Sequence, residues 1–143
     1  MASLNRMIRD AMASVLAGIS AESGYPISVQ EVSVVQRHFE QVGKFPHLIV
    51  EFPKETKKQN PSGWVRCTIQ FFITGYLRGK NHDAEQDLLA QAIEQAIAKD
   101  PTFNGLALDA YVIQRTVSSS WLQGYGIVEL FGEIIYHHPV GNP

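Results

Sequence analysis

The chain has 143 residues, of which 45% are hydrophobic and 18% charged, and its formal net charge is −2. This length is usual for one domain, so we expect a single domain over residues 1–143 that buries about 68–70% of its unfolded surface. The composition is that of an ordinary globular protein and argues against a polycationic protein that wraps DNA. The single cysteine, Cys67, excludes an intramolecular disulfide and a zinc site built from a cysteine cluster.

Neither a signal peptide nor a membrane span is predicted. Arg6, Arg9 and Asp10 interrupt the apolar residues at the N-terminus, where a signal peptide requires an unbroken apolar core. No stretch approaches the roughly 20 apolar residues that a membrane-spanning helix requires. We therefore expect a soluble, unprocessed protein that is made in a reducing cytoplasm.

Two amphipathic helices are predicted. In the first, Ser3 is the expected N-cap, and apolar residues recur at i, i+3, i+4 and i+7 between positions 4 and 19. In the second, Asp83 is the expected N-cap, and Gln86 three residues later is expected to complete a capping box. The apolar stripe of this helix runs from position 88 to position 97, after which Asp-Pro and Asn-Gly dipeptides turn the chain.

The remaining apolar segments predict strands, which cover residues 45–53, 64–77, 106–117 and 125–136. The segment 27–42 is ambiguous, because its valines also fit one face of a helix. Its density of β-branched residues favours a strand, and that is the interpretation chosen here.

The strand over residues 64–77 alternates, with apolar odd-numbered residues from 65 to 73 on one face. At about 3.3 Å per residue it would reach on the order of 45 Å, so it must bend or project beyond its own domain. The elements predict an α+β fold, a mostly antiparallel sheet of about four to five strands with two helices packed on one face. The core between sheet and helices is expected to contain Cys67, Ile69, Phe71, Leu89 and Ile93.

Two polar segments are predicted to lie outside the regular elements. Residues 54–63 contain three lysines and no aliphatic residue, which predicts an exposed, mobile loop. Residues 137–143 contain two prolines and a glycine, which predicts an extended tail. We expect both segments to be poorly ordered in a free subunit and ordered against a partner, because neither buries enough apolar surface by itself.

No catalytic or metal site is predicted. Glu129 and Glu133 would lie about 13 Å apart along a strand, outside the roughly 5–9.5 Å that paired-carboxylate hydrolysis uses. His137 and His138 are adjacent, so in a strand they point to opposite faces and do not bind one ion together. Cys67 alternates with apolar neighbours, which indicates an inert core residue. We therefore expect no enzymatic activity, no metal and no cofactor.

The charged and aromatic residues at the ends and polar faces of the long strands are interpreted as interface residues. They are Lys54, Lys57, Lys58, Arg66, Tyr76, Arg78, Lys80, Glu129, Glu133, His137 and His138. For the three lysines in 54–58, a solvated loop is favoured over phosphate binding, because no aromatic residue lies between them for base stacking.

The order of these elements resembles the tail terminator proteins of long-tailed bacteriophages over nearly the whole chain. After the N-terminal helix, the matching segments are FPHLIVEFP, WVRCTIQFFITGYL, AEQDLLAQAIEQAIAKD, DPTFNG and the final strand that ends GIVELFGEIIYHHP. The resemblance implies a structural virion protein without enzymatic activity, a hexameric ring that stops growth of the tail tube and offers a docking surface to the head. Its implied partners are copies of itself, the tail tube protein and the head–tail connector or neck protein, with DNA only passing through the lumen and no membrane.

Two other functions remain compatible with the sequence. The first is a completion protein on the head side of the same neck. The second, from a different class, is a small cytoplasmic α+β enzyme or ligand-binding domain with a pocket between helices and sheet. A ring seen by electron microscopy separates the second from the virion proteins, and assembly with tail tube subunits separates the first from a tail terminator.

Overall fold

The computed structural model describes residues 2–35, 42–79, 82–119 and 124–143. They form the elements α1 (Leu4–Ala17), β1 (Glu31–Ser33), β2 (His47–Gln59), β3 (Trp64–Arg78), α2 (His82–Lys99), β4 (Asp109–Ser119) and β5 (Tyr125–Pro139), with a short 3-10 helix over Ala21–Ser23. The five strands make one sheet in the order β1-β2-β3-β5-β4, in which only β1 and β2 are parallel. The predicted α+β fold with a mostly antiparallel sheet and two helices is confirmed.

Helix α1 begins where the sequence predicts. The Ser3 side chain accepts a hydrogen bond from the backbone N–H of Arg6, which satisfies one of the unpaired donors of the first turn. Ile8, Met12 and Leu16 follow at four-residue intervals and are fully buried. Because residues i and i+4 share one face of a helix, this stripe packs α1 against the sheet and against α2.

The capping box predicted for α2 is wrong. The helix begins at His82, so Asp83 lies in its first turn and not at the N-cap. The side chain of Gln86 is buried and turns toward the sheet, where its amide donates to the backbone oxygens of Ser118 (2.7 Å) and Ile127 (3.1 Å). A buried amide needs such partners, and the strand carbonyls supply them at the point where β4 and β5 meet the helix.

The core lies between the helices and one face of the sheet. The five residues predicted for it, Cys67, Ile69, Phe71, Leu89 and Ile93, are fully buried. A glycine makes room for the largest of them. A Cβ atom at Gly132 would lie 2.4 Å from Cζ of Phe71 and 2.2 Å from the backbone oxygen of Tyr111, so only glycine lets this ring lie across β5.

The loop predicted over residues 54–63 is largely strand. β2 continues to Gln59 and pairs with β3 as far as the contact of Gln59 with Val65, after an irregularity between Glu51 and Lys54. Only residues 60–63 turn the chain, and Gly63 has the positive φ of 86° that favours glycine. The prediction failed because β3 provides hydrogen-bond partners for the backbone N–H and C=O groups of this polar segment. Such backbone pairing needs no aliphatic side chain.

The extended tail predicted over residues 137–143 is also corrected. β5 continues to Pro139, so His137 and His138 pair with Arg66 and Val65 of β3. The chain then turns, and the backbone N–H of Leu4 donates to the oxygen of the last residue at 3.4 Å. The prediction failed because β3 is long enough to provide ladder partners for residues whose composition alone suggests a tail.

The strand chosen for residues 27–42 is confirmed over three residues. β1 spans Glu31–Ser33 and pairs in parallel with residues 47–49 of β2. Residues 36–41, which the same prediction covered, lie outside the described part of the chain. The four strands predicted downstream are present, although β2 and β5 run further than the sequence suggested and β4 starts later, at Asp109.

Candidate interface surfaces

The side of the sheet that faces away from the helices carries most of the residues interpreted as interface residues. We call this side the open face. From β3 and β5 it comprises Arg66, Thr68, Gln70, Phe72, Thr74, Tyr76, Arg78, Tyr125, Ile127, Glu129, Phe131, Glu133, Ile135 and His137. Strand alternation places them there, because the residues between them point into the core. None of these side chains is fully buried.

A row of basic side chains crosses the open face at the end nearest the β2–β3 turn. The register pairs Lys58 with Arg66, and Arg66 with His137, so the three side chains lie side by side on neighbouring strands. Lys54 lies two rows further along, opposite Gln70. Like charges directly opposite one another on adjacent strands are unfavourable, so this row does not stabilise the isolated subunit.

The centre of the open face is aromatic. The rings of Phe72 and Phe131 lie 4.9 Å apart, between centroids, on paired positions of β3 and β5. Beside them is a shallow depression of about 240 Å³, bordered also by Gln114 and Thr116 of β4. Phe72 is 38% exposed, which is unusual for a phenylalanine in the middle of a central strand and marks a contact surface.

The two glutamates on this face each lie beside a tyrosine. Glu133 accepts a hydrogen bond of 2.9 Å from the Tyr111 hydroxyl, and this bond is the main reason that the pKa of Tyr111 is raised. The pKa of Tyr76 is raised first by its burial and then by the charges of Glu129 and Glu51. Both tyrosines therefore stay protonated at neutral pH. Glu133 is hydrogen-bonded to a tyrosine hydroxyl, whereas Glu129 acts on Tyr76 through its charge, so the two glutamates lie in different surroundings. Neither tyrosine hydroxyl is deprotonated, so neither can act as a base.

The end of the open face furthest from the β2–β3 turn is partly covered by the chain before β2. The ring of Phe45 packs on Tyr125 at 5.9 Å between centroids, and Cζ of Arg78 lies over the Tyr125 ring at 5.7 Å from its centroid. The neighbouring His47 is fully buried, with its Nε2 atom 3.1 Å from the Ser33 hydroxyl. Lys80, the remaining residue predicted near this end, lies outside the described part of the chain.

Two of the residues interpreted as interface residues point to the other side of the sheet. Lys57 Nζ lies 3.0 Å from Nε2 of His138 and 3.5 Å from a carboxylate oxygen of Glu55. Glu55 also accepts hydrogen bonds from the Tyr136 hydroxyl and from the Asn5 amide of α1. Burial, followed by the bond to Glu55, raises the pKa of Tyr136 well above its ordinary value. This polar network connects the end of the β2–β3 hairpin to α1.

The sequence did not reveal the network, although one signal was present. Tyr136 falls on the apolar face of its strand, and a buried tyrosine hydroxyl needs a hydrogen-bond partner. Glu55 is the carboxylate that the register brings to it, through the pairing of both strands with β3. Finding this partner required knowing that residues 54–59 form a strand, which the composition concealed.

No group of three metal-binding side chains lies close together in residues 2–35, 42–79, 82–119 and 124–143. Burial raises the pKa of the Cys67 thiol, which keeps it protonated and unreactive. Among the described helices, none combines the length and apolar character needed to cross a membrane.

Comparison with known proteins gives a match to one family. The model of the bacteriophage tail tube terminator protein family matches residues 1–114, from α1 into β4. No curated protein matches the chain at a significant level. The match covers well over half of the chain and confirms the resemblance inferred from the order of the elements. The chain therefore belongs to the bacteriophage tail tube terminator protein family.

Proposed function

We propose that this protein forms a closed ring, with six subunits, on the end of the phage tail tube. The ring stops polymerisation of the tube and provides the surface to which the head docks. Its partners are further copies of itself, the tail tube protein and the connector or neck protein. The family match over residues 1–114 carries this proposal.

Features of the subunit support a role based on contacts. The open face combines an exposed aromatic pair with a basic row whose charges have no structural benefit within the subunit. Such a surface is explained by a partner that covers it. The net charge of −2 also suits a ring through which DNA passes, because each phosphate contact would add salt-dependent affinity.

The proposal places the protein in the virion, without enzymatic activity, metal or cofactor. In this proposal, three surfaces of the subunit contact three different partners. The two edges of the sheet join neighbouring copies, the open face with its basic row contacts the tail tube, and the remaining rim meets the connector. The assignment of the open face to the tube is itself a proposal, and it rests on the aromatic pair Phe72 and Phe131.

The test is a length-control experiment with purified components. Tail tube protein is polymerised with and without this protein, and the products are viewed by negative-stain electron microscopy. We expect tubes that carry a ring at one end and do not elongate when more tube protein is added. Light scattering of the free protein gives the number of subunits. Tubes that elongate normally and carry no ring, or a protein that binds only the connector, would contradict the proposal.

A further inference from the structure

Within the part of the chain that the structure describes, the sheet has two edges of very different character. One edge is β4, an eleven-residue strand whose only strand neighbour among the described residues is β5. The other edge is β1, which covers residues 47–49 of β2. Beyond β1, the segment Lys54–Gln59 of β2 has β3 as its one strand neighbour among the described residues, and we call it the β2 arm. A free edge presents backbone N–H and C=O groups to which another strand can pair.

The β4 edge has one feature that opposes pairing, the irregularity between Val112 and Gln114, but few others. Proteins usually protect such an edge with lysine or proline, and β4 contains neither. Instead, Ile113 and Val117 are 52% and 43% exposed. The one cation of the strand, Arg115, is directed away to an ion pair of 2.9 Å with Asp87 of α2. This edge is therefore suited to being covered by another strand.

The two edges carry opposite charges. Helix α2 packs beside β4 and presents Glu94 next to residues 110–112, and Asp109 adds a second carboxylate at the start of the strand. Asp87 of α2 is paired with Arg115, so these two residues add no net charge to the edge. The β2 arm carries three lysines, which oppose pairing with a neutral or basic edge but favour pairing with an acidic one, while its only carboxylate, Glu55, turns inward to Tyr136. An acidic edge and a basic edge on one molecule favour contact between the acidic edge of one copy and the basic edge of the next.

Strand direction fits the same arrangement. β4 runs parallel to β3 and therefore antiparallel to β2 and β1, as the pairings across the sheet require. Copies related by rotation about a ring axis keep their strand directions, so β4 of one copy would meet the β2 arm of its neighbour as an antiparallel strand. Such a contact joins two different surfaces, which is the kind of interface that generates rings.

We propose that the first residues of β4, from Asp109 to the irregularity at Ile113, pair antiparallel with the β2 arm of the next copy and join the sheets around the ring, while residues 114–119 pass outside the neighbour's β1, which already covers residues 47–49. On the open face, Asp109 of one copy then lies beside Lys54 and Lys58 of its neighbour, because these residues occupy that face in their own strands. The inference rests on the proposed function, since it identifies the surfaces that join the copies of the ring.

Disulfide cross-linking tests the pairing directly. Asp109→Cys is combined in one chain with Thr56→Cys, Lys54→Cys or Lys58→Cys, three positions that cover registers differing by two residues. The native Cys67 is fully buried and stays in place. We expect one combination to give a ladder of disulfide-linked oligomers on oxidation, and each single variant to give none. A dimer formed by Asp109→Cys alone would show that two β4 strands meet, which overturns the proposal.

A second test uses charge at the β4 edge. Asp109→Lys and Ile113→Lys place a lysine on an exposed edge position, so both subunits should fold. Gln95→Lys, on the exposed surface of α2, adds a lysine away from the edge. We expect the two edge variants to raise the concentration needed for assembly at least about tenfold, and the α2 variant to assemble normally. Amide hydrogen exchange of residues 109–113 should slow on assembly of the wild type.

The outcomes separate this inference from the proposed function. If the wild type forms rings on tubes but the edge variants assemble equally well and no cysteine pair cross-links, the pairing is wrong and the function stands. If the wild type forms no ring, either free or on tubes, the proposed function fails and the pairing fails with it.

Discussion

Phe71 and Phe72 are adjacent in the chain and lie on opposite faces of the same strand. Phe71 is fully buried against the helices, whereas Phe72 is 38% exposed beside Phe131 on the open face. Both strands β3 and β5 repeat this difference along their length, with buried side chains on one face and partly exposed ones on the other. The difference teaches that one face of the sheet provides the stability of the subunit and the other is available for contacts.

The largest expected effect contrasts these two phenylalanines. Phe71→Ala should lower the free energy of unfolding by about 3–5 kcal/mol, because it leaves a cavity in the core. Phe72→Ala should lower it by less than about 1 kcal/mol, since the ring is already partly in water. Urea unfolding followed by circular dichroism measures both. Equal losses for the two variants would show that the open face also contributes to stability.

The second prediction concerns the glycine that makes room for Phe71. Gly132→Ala should destabilise the protein by about 3 kcal/mol, because the added methyl group collides with the Phe71 ring and with a backbone oxygen of β4. Gly43→Ala is the matched control, since a Cβ atom there meets nothing within 4 Å. Thermal melting of the two variants should differ clearly. Should Gly132→Ala melt like the control, the close contact between β5 and Phe71 would be wrong.

The third prediction concerns the buried side-chain amide of Gln86, which connects α2 to the strands β4 and β5. Gln86→Ala should cost about 2 kcal/mol, because it removes two hydrogen bonds from strand carbonyls and leaves those acceptors without their partner. Gln91→Ala, on the exposed surface of the same helix, should change stability by less than about 0.5 kcal/mol. Denaturant unfolding of both variants decides this. A loss no larger than that of Gln91→Ala would mean that the amide bonds contribute nothing net.

The face of the sheet that packs against the helices, which we call the covered face, was predictable from the sequence because side-chain periodicity alone defines it. Alternation in β3 identified Cys67, Ile69 and Phe71, and the helical spacing of α2 identified Leu89 and Ile93. No knowledge of which strands pair was required. The apolar pattern is a local property, and burial of an apolar face is the dominant favourable term in folding.

The hairpin end was not predictable in the same way. Residues 54–59 have the composition of a loop, and they are a strand because β3 supplies backbone partners that no side-chain pattern records. The basic row also depends on pairing, since Lys58, Arg66 and His137 come together only in the register of three strands. Sequence reasoning named all three residues without finding that they are neighbours.

The last prediction addresses this basic row, where the smallest effect on stability is expected. Arg66→Ala should leave the free energy of unfolding within about 0.5 kcal/mol of the wild type, or raise it slightly, because it relieves repulsion from Lys58 on the adjacent strand. If the open face contacts the tail tube, the same change should weaken binding to tubes, and the loss should be largest at low salt, where surface charges are least screened. Binding is measured by sedimentation with tubes over a range of NaCl concentrations, beside Arg6→Ala, an exposed arginine on α1 that serves as the control. An Arg66→Ala variant that is destabilised by more than about 1 kcal/mol would show that the row holds the subunit together. One that is stable and binds tubes as well as Arg6→Ala does would move the tube contact away from this end of the open face.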